Sequence, residues 1–372
     1  MSRHRLVSTA TTLLGLLLAT VAPASADEGM LEKIHRQSIL GTTSPDNGDQ
    51  NPYAVVVAPA SVGTIQKNDV LISNFNNATN LQGLGSTIVS FNPTQKKLTQ
   101  FAKIPSNLAG CPGGIGLGTA MTMLKSGWVI VGSAPSRDGT AATKGPGCLI
   151  VLDAHGQVAG TWTGPDIDAP WGNMAVIDNG STATLFVSNV GFDIGAQNPE
   201  EPTKKATVLR IDLTIPDGKP PVITRKTVVG SGFSAQGDKD VFLIGPTGLA
   251  LGPDGTLYVS DAIGNRITAI PKAASRADSA GTGQEVTKDG LLHRPLAMAM
   301  APNGHLLVVN GTNGQAVEID PQTGKQIYAR WIDANKAQSP PGSGDLFGIA
   351  LTPEGDGFYY VEDEVNMLVL AR

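Results

Sequence analysis

The sequence predicts an all-β fold, a six-bladed β-propeller, and three observations predict it. A unit of two apolar strands flanking a Pro-Asp-Gly-like turn recurs, looser copies of that unit precede the clear ones, and glycine and proline number 45 and 25 in 372 residues. Glycine and proline at this level break helices and suit many short strands joined by tight turns.

The repeat is plainest toward the C-terminus, where residues 246–261, 295–310 and 346–362 align. Their turns are Pro253-Asp254-Gly255, Pro302-Asn303-Gly304 and Pro353-Glu354-Gly355. Proline presets φ and glycine tolerates positive φ, as a tight hairpin requires. A third strand is predicted after each pair, over 266–271, 316–320 and 367–371. Looser copies cover 53–59 with 69–74, 114–124 with 127–133, and 171–177 with 184–189. With Ala54, Gly114, Asn173, Gly248, Ala297 and Gly348 as equivalent points, six units lie 49 to 75 residues apart. None can bury an apolar face alone, so neighbours must stack around a common axis. First strands that alternate small and larger apolar residues, as in Gly248-Leu-Ala-Leu251, suit the crowded innermost position.

The last unit ends after three strands, which leaves an open sheet edge. Residues 35–43 are the available donor, and the expectation is that they pair with 367–371 and fasten the ring closed. Upstream, Arg3 and Arg5, an apolar run over 6–24 and the small-x-small Ala24-Ser25-Ala26 read as a signal peptide cleaved after Ala26. Its strongly apolar part, 13–22, is too short to cross about 30 Å of hydrocarbon. The expected organisation is a signal peptide over 1–26, an N-terminal segment with the closing strand over 27–50, and a propeller domain over 51–372. A secreted or periplasmic monomer follows, with no membrane insertion after cleavage.

Loss of Arg3 and Arg5 shifts the formal charge from −5 to −7, so nucleic acid is a poor partner. The expected partner is a small molecule or another protein. Cys111 and Cys148 are the two cysteines, and in an oxidising compartment they read as one disulfide worth about 4 kcal/mol of loop entropy.

The unit from Pro246 to Ile267, with Gly248, Ala250, Asp261, Asn265 and Arg266, resembles the NHL-repeat branch of six-bladed propellers. The same layout resembles secreted bacterial NHL-type propellers of unassigned activity. The resemblance implies the fold across nearly the whole mature chain, whereas this architecture hosts lactonases, lyases and binding modules alike.

In such a fold the connections between second and third strands share one rim. Those at 74–85, 133–147 and 189–205 are long, and those at 261–265, 310–315 and 362–366 are short. Function concentrates on long loops held by a rigid scaffold, so the rim of blades one to three is the expected ligand or partner surface. The second strands end in Asn74, Ser133, Asn189, Asp261, Asn310 and Glu362. These oxygens could gather a hard cation such as Ca2+, or each side chain could cap its own turn, which is the reading favoured here. Calcium-dependent lactonases of the gluconolactonase and regucalcin type carry Glu, Asn and Asp near first-strand starts; the matching positions here are Tyr53, Gly113, Asn173, Thr247, Leu296 and Phe347, and Asn173 alone carries that chemistry.

Other templates are absent. The histidines at 35, 155, 293 and 305 lack zinc-pair spacing, His155 and His305 fall in turns expected to be solvated, and no Gly-x-Ser-x-Gly elbow occurs. Two readings remain: a binding scaffold using the long-loop rim, and a hydrolase (lactonase- or esterase-like) or lyase at the axis with candidates Asn189, Asp261, His293 and Asp345.

Overall fold

A computed structural model describes Met1, 29–197 and 199–372. The expected signal peptide lies outside the described residues. Six antiparallel sheets surround one axis. Blade one comprises Gln50–Val57, Val70–Asn76, Thr87–Asn92 and Lys97–Lys103, and blade two Leu117–Met123, Val129–Ser133, Cys148–Leu152 and Val158–Trp162. Blade three has five strands, Ala175–Asp178, Thr182–Asn189, Thr203–Thr214, Val222–Asp238 and Phe242–Ile244. Blade four contains Pro246–Leu251, Leu257–Asp261, Arg266–Ile270 and Gln284–Lys288, and blade five Pro295–Met300, Leu306–Asn310, Gln315–Ile319 and Gln326–Trp331.

Blade six is Leu346–Leu351, Phe358–Glu362 and Met367–Ala371, completed by the N-terminal strand Gln37–Thr42. Gln37 pairs with Ala371 and Thr42 with Met367. Backbone bonds from His35 N–H to Arg372 O and from Thr43 N–H to Asn366 O, at 2.9 and 2.8 Å, extend the pairing at both ends. The chain thus closes its ring with the segment expected to do so, and the otherwise open edge is covered.

The innermost strands pack backbone to backbone. A Cβ on Gly248 would stand 2.3 Å from Leu296 O, and one on Gly348 would stand 2.3 Å from Tyr53 O. Five of these six strands break register near their start, for example between Pro246 and Leu249 and between Pro52 and Val55. A serine at the end of the second strand takes up the freed backbone groups. Ser260 Oγ accepts from Gly248 N–H at 2.6 Å and donates to Leu296 O of blade five at 2.7 Å; Ser73 Oγ does the same for Ala54 N–H and Gly118 O of blade two. These hydroxyls therefore tie neighbouring blades together at the axis.

Cys111 and Cys148 form the expected disulfide, with Cα atoms 5.5 Å apart. It anchors the lead-in of blade two to the start of its third strand, beside the 134–147 connection. The fifth strand of blade three is unanticipated by the repeat. Val222–Asp238 overruns its sheet and turns back through Phe242–Ile244, forming a hairpin that leaves the blade.

Candidate functional site

The loop-rich rim carries the lopsided connections read from the sequence, but the axis beneath them is filled. Tyr53 of blade one stacks on Phe347 of blade six at 3.9 Å and on Phe75 at 4.6 Å. Trp171 of blade three meets Tyr53 and Phe75 edge-on at 5.8 and 5.4 Å, and Phe242 lies 5.3 Å from Phe75. Blades one and three are not neighbours in the ring, so these contacts cross the axis. The five rings are at most 3% exposed. Over them lies the blade-three hairpin. Gly237 N–H donates to Pro199 O, the Gln82 amide of blade one donates to Asp240 O at 2.9 Å, and Asp238 pairs with Arg294 ahead of blade five at 3.5 Å.

This plug separates the expected site residues. Asn173 lies in the axial channel, where its amide N–H donates to Leu249 O at 2.8 Å and Met298 O at 3.2 Å while its oxygen accepts from Met298 N–H at 3.1 Å. All of its bonding is to backbone of blades four and five. Asn74 donates to Thr43 O at 3.0 Å, Asn189 accepts from Asp168 N–H at 3.2 Å, and Asn310 accepts from His293 N–H at 2.9 Å and donates to Leu291 O at 3.0 Å. Asp261 accepts from Gly264 N–H at 3.0 Å and pairs with Arg266 at 2.9 Å. These four side chains hold turns on four different blades. His293 is exposed, and among the described residues its ring has no hydrogen bond to a carboxylate. His305, expected to be solvated, is instead 7% exposed and bonded through Nδ1 to Glu318 at 2.8 Å. Its turn folds back against a strand that carries a buried carboxylate, which the local Pro-Asn-Gly-His pattern does not reveal.

Two expected residues do converge. Asp345, just ahead of the first strand of blade six, and Glu362, ending its second strand, meet Asp333 and Asp363 on the loop-rich rim. Asp345, Asp333 and Asp363 are 4, 8 and 8% exposed, and among the described residues none of the four carboxyls forms an ion pair with Lys or Arg. Burial, a hydrogen bond with the Asp333 carboxyl and the nearby negative charges push Asp345 up to about 7, against an opposing bond from Gln338. Burial and the charge of Asp333 push Glu362 up to about 7 as well, while the Tyr360 hydroxyl, donating at 3.3 Å, works the other way. Asp363 is raised by its burial and by Asp345, despite the Asn51 amide donating to it at 3.2 Å. Like charges that cannot all ionise in one small volume share protons instead.

The segment 334–344 covers this cluster. Gln338 donates to Asp345 Oδ1 at 2.5 Å and to Glu364 at 3.1 Å, and Asn335 also donates to Glu364. Asp333 and Asp363 were missed from the sequence, although Glu362-Asp363-Glu364, three acids at the mouth of a four-residue turn, is a visible signal. With Asp345 and Glu362 both raised to about 7, the cluster holds groups that can give and take protons close to neutral pH, the requirement for acid and base work. As a calcium site it fits poorly: among the described residues no three acidic, His or Cys side chains could hold one ion.

No family model and no curated protein matches the chain. Solved structures do. A gluconolactonase from Xanthomonas campestris is 14% identical with a TM-score of 0.55, covering 90% of this chain and 88% of that one. Virginiamycin B lyase from Staphylococcus aureus is 17% identical at 0.50, covering 90% and 84%, and regucalcin, a calcium-binding protein from Agrobacterium tumefaciens, is 12% identical at 0.50, covering 90% and 93%. The chain shares their fold. At this identity the likeness concerns architecture alone.

Proposed function

We propose that this chain is an exported hydrolase of small esters or lactones, with the Asp333–Asp345 pair as its acid–base centre and Glu362 beside it. One observation carries the reading: Asp333 and Asp345, 8 and 4% exposed, come together ahead of the first strand of blade six with no Lys or Arg paired to either among the described residues, and burial beside this neighbour raises Asp345 to about 7. Asp333 takes a proton from a water, the resulting hydroxide adds to the ester carbonyl, and protonated Asp345 gives its proton to the departing alkoxide. Protons balance over the cycle: Asp333 ends with the proton taken from water and Asp345 without the one given to the alkoxide, so passage of one proton from Asp333 to Asp345 restores the pair. Neither step is routed through a metal.

The shared fold with a gluconolactonase supports the class, and the disulfide supports an oxidising compartment. Blade four supports the NHL-type reading of the repeat, because Asp261, Asn265 and Arg266 act together there: Asp261 pairs with Arg266, and Asn265 donates to Leu292 O at 3.0 Å. The test is turnover of glucono-δ-lactone, γ-butyrolactone and p-nitrophenyl acetate from pH 5 to 9, with Asp345→Asn and Asp333→Asn alongside. Loss of about a hundredfold or more in either variant supports the assignment. No turnover of any of the three, or turnover indifferent to both variants, overturns it.

The scaffold reading has its own supporting observation. A cavity of about 460 Å³ opens between blades one and two on the same rim, lined by Leu84, Ser86, Lys103, Ile104 and Ser136. Retention of a small ligand there with no chemical change would favour it.

A further inference from the structure

On the opposite rim, the turns of blades two and three enclose a groove of about 760 Å³, a volume within the range of small-molecule sites. We propose that this groove binds a neutral oligosaccharide. The inference stands apart from the hydrolase reading, since the two sites lie on opposite faces of the ring.

Trp128, half-buried, stands in the groove wall with Ile215 and Pro216. Gly180 and Gly218 also line the groove, and a Cβ on either would meet nothing within 4 Å, so the groove is open at both positions. An indole face carries a negative quadrupole that attracts the weakly positive C–H face of a pyranose ring. Around it are groups that suit hydroxyls: Ser126, Ser181, His155 and Asp217. A sugar presents both aspects at once, an apolar face and an equatorial belt of donors and acceptors.

Charge narrows the class further. Among the described residues no Lys or Arg lines the groove, while Asp153 and Asp217 do, which disfavours phosphates and other anions. An organic cation is the nearer competitor, held by the indole and carboxylates. Asp153 is poorly placed for that task because its Oδ1 already accepts from His155 N–H and Gln157 N–H, both at 2.9 Å. That leaves Asp217 as the lining carboxylate without such a commitment among the described residues, and a mixed hydroxyl-binding surface outweighs a cation cage.

The walls are preset. Asp178 accepts from Lys125 N–H at 2.6 Å and from Gly180 N–H at 2.8 Å, binding the turns of blades two and three to each other. Sites built on such locked turns lose little entropy on binding.

Calorimetric titration of the full chain with maltotriose, cellotriose and chitotriose tests the proposal, with tetramethylammonium as the cationic probe. The expected result is millimolar or tighter binding of at least one trisaccharide. Trp128→Ala should weaken it about tenfold or more. Ser181→Arg, an exposed position where a long side chain fills the groove without touching the core, should weaken it similarly, and Trp331→Ala on a different blade should not. Binding of none of the three sugars, binding unchanged in both groove variants, or competition of the sugar site by tetramethylammonium in preference to sugar overturns it.

Discussion

Glu318, a carboxylate with no solvent exposure on the third strand of blade five, accepts the backbone N–H groups of Met30 and Leu31 at 2.9 and 2.8 Å. Asn303 and His305 donate to the same carboxylate at 2.9 and 2.8 Å. Burial alone would raise this acid, but the bonds from Leu31, Asn303, Met30 and His305 prevail and hold it below the usual carboxylate range. Leu31 and Ile34 are buried beside it, and Arg330 donates to Leu31 O at 2.7 Å. The N-terminal segment is therefore clasped to blade five immediately before it completes blade six. Two blades are joined by one short stretch of chain.

Removing that carboxylate leaves four donors without their acceptor, those of Leu31 and His305 in buried residues. Glu318→Ala is expected to cost about 3 kcal/mol or more, and Glu318→Gln less, because an amide oxygen still accepts from part of the set. Urea denaturation measures the cost, and amide exchange at Met30 and Leu31 locates it. Unchanged exchange at those two amides in Glu318→Ala would show that the clasp is not held by this residue.

The carboxyl cluster predicts an inverted pH dependence of stability. Asp345 and Glu362 are raised from ordinary values near 4 to about 7, so the folded state holds more protons than the unfolded state in between. Their contribution to stability is fully present below about pH 4 and is lost as pH rises through 7. Asp345→Asn and Glu362→Gln remove that loss. Each should raise Tm at pH 8 and leave it nearly unchanged at pH 4, with a gain on the order of 1–3 kcal/mol at the higher pH. Scanning calorimetry at the two pH values decides the matter, and a variant less stable than wild type at pH 8 contradicts the account.

Turn chemistry explains why the repeat was legible. Gly255 has φ of 80°, its N–H donates to Gly252 O at 3.0 Å, and Asp254 accepts from Thr256 N–H at 3.0 Å, so the Pro253-Asp254-Gly255 hairpin is specified by five adjacent residues. The ring closure was legible for a related reason: an edge left open must find a strand, and one segment was unassigned. The carboxyl pair has no such local signature. Asp333 and Asp345 belong to a connection without periodicity, and Asp363 joins them only because blade six closes against blade five. The aromatic plug is likewise a product of closure, with Phe75 and Phe242 meeting across the axis from distant parts of the chain. Asn173 matched a lactonase position in sequence, yet the backbone groups it serves belong to strands far downstream.

Disulfide removal offers a further test of blade two. The bridge joins residues 37 apart in sequence, and Cys111→Ser with Cys148→Ser should cost about 2–4 kcal/mol. Proteolysis should then appear within 134–147, the connection that the bridge holds at its end. Cleavage elsewhere first would mean that another element limits the stability of this rim.

Asn173 supplies the sharpest separation of a structural from a catalytic role at the axis. Its amide satisfies Leu249 O, Met298 O and Met298 N–H, so Asn173→Leu leaves three buried backbone groups without partners while roughly preserving volume. Each such group costs about 1–3 kcal/mol when unpaired, although a shifted backbone recovers part of it. A net loss of about 2–4 kcal/mol is expected, read as a lower denaturation midpoint with an unchanged slope. Asn173→Asp separates the roles further. A carboxylate can accept from Met298 N–H but cannot donate to Leu249 O or Met298 O while ionised, so burial should force it to keep a proton. Stability of this variant is therefore expected to fall as pH rises, whereas activity toward any substrate turned over at the Asp333–Asp345 pair should persist wherever the chain stays folded. Abolished turnover in folded Asn173→Asp would place the reacting centre at the axis after all.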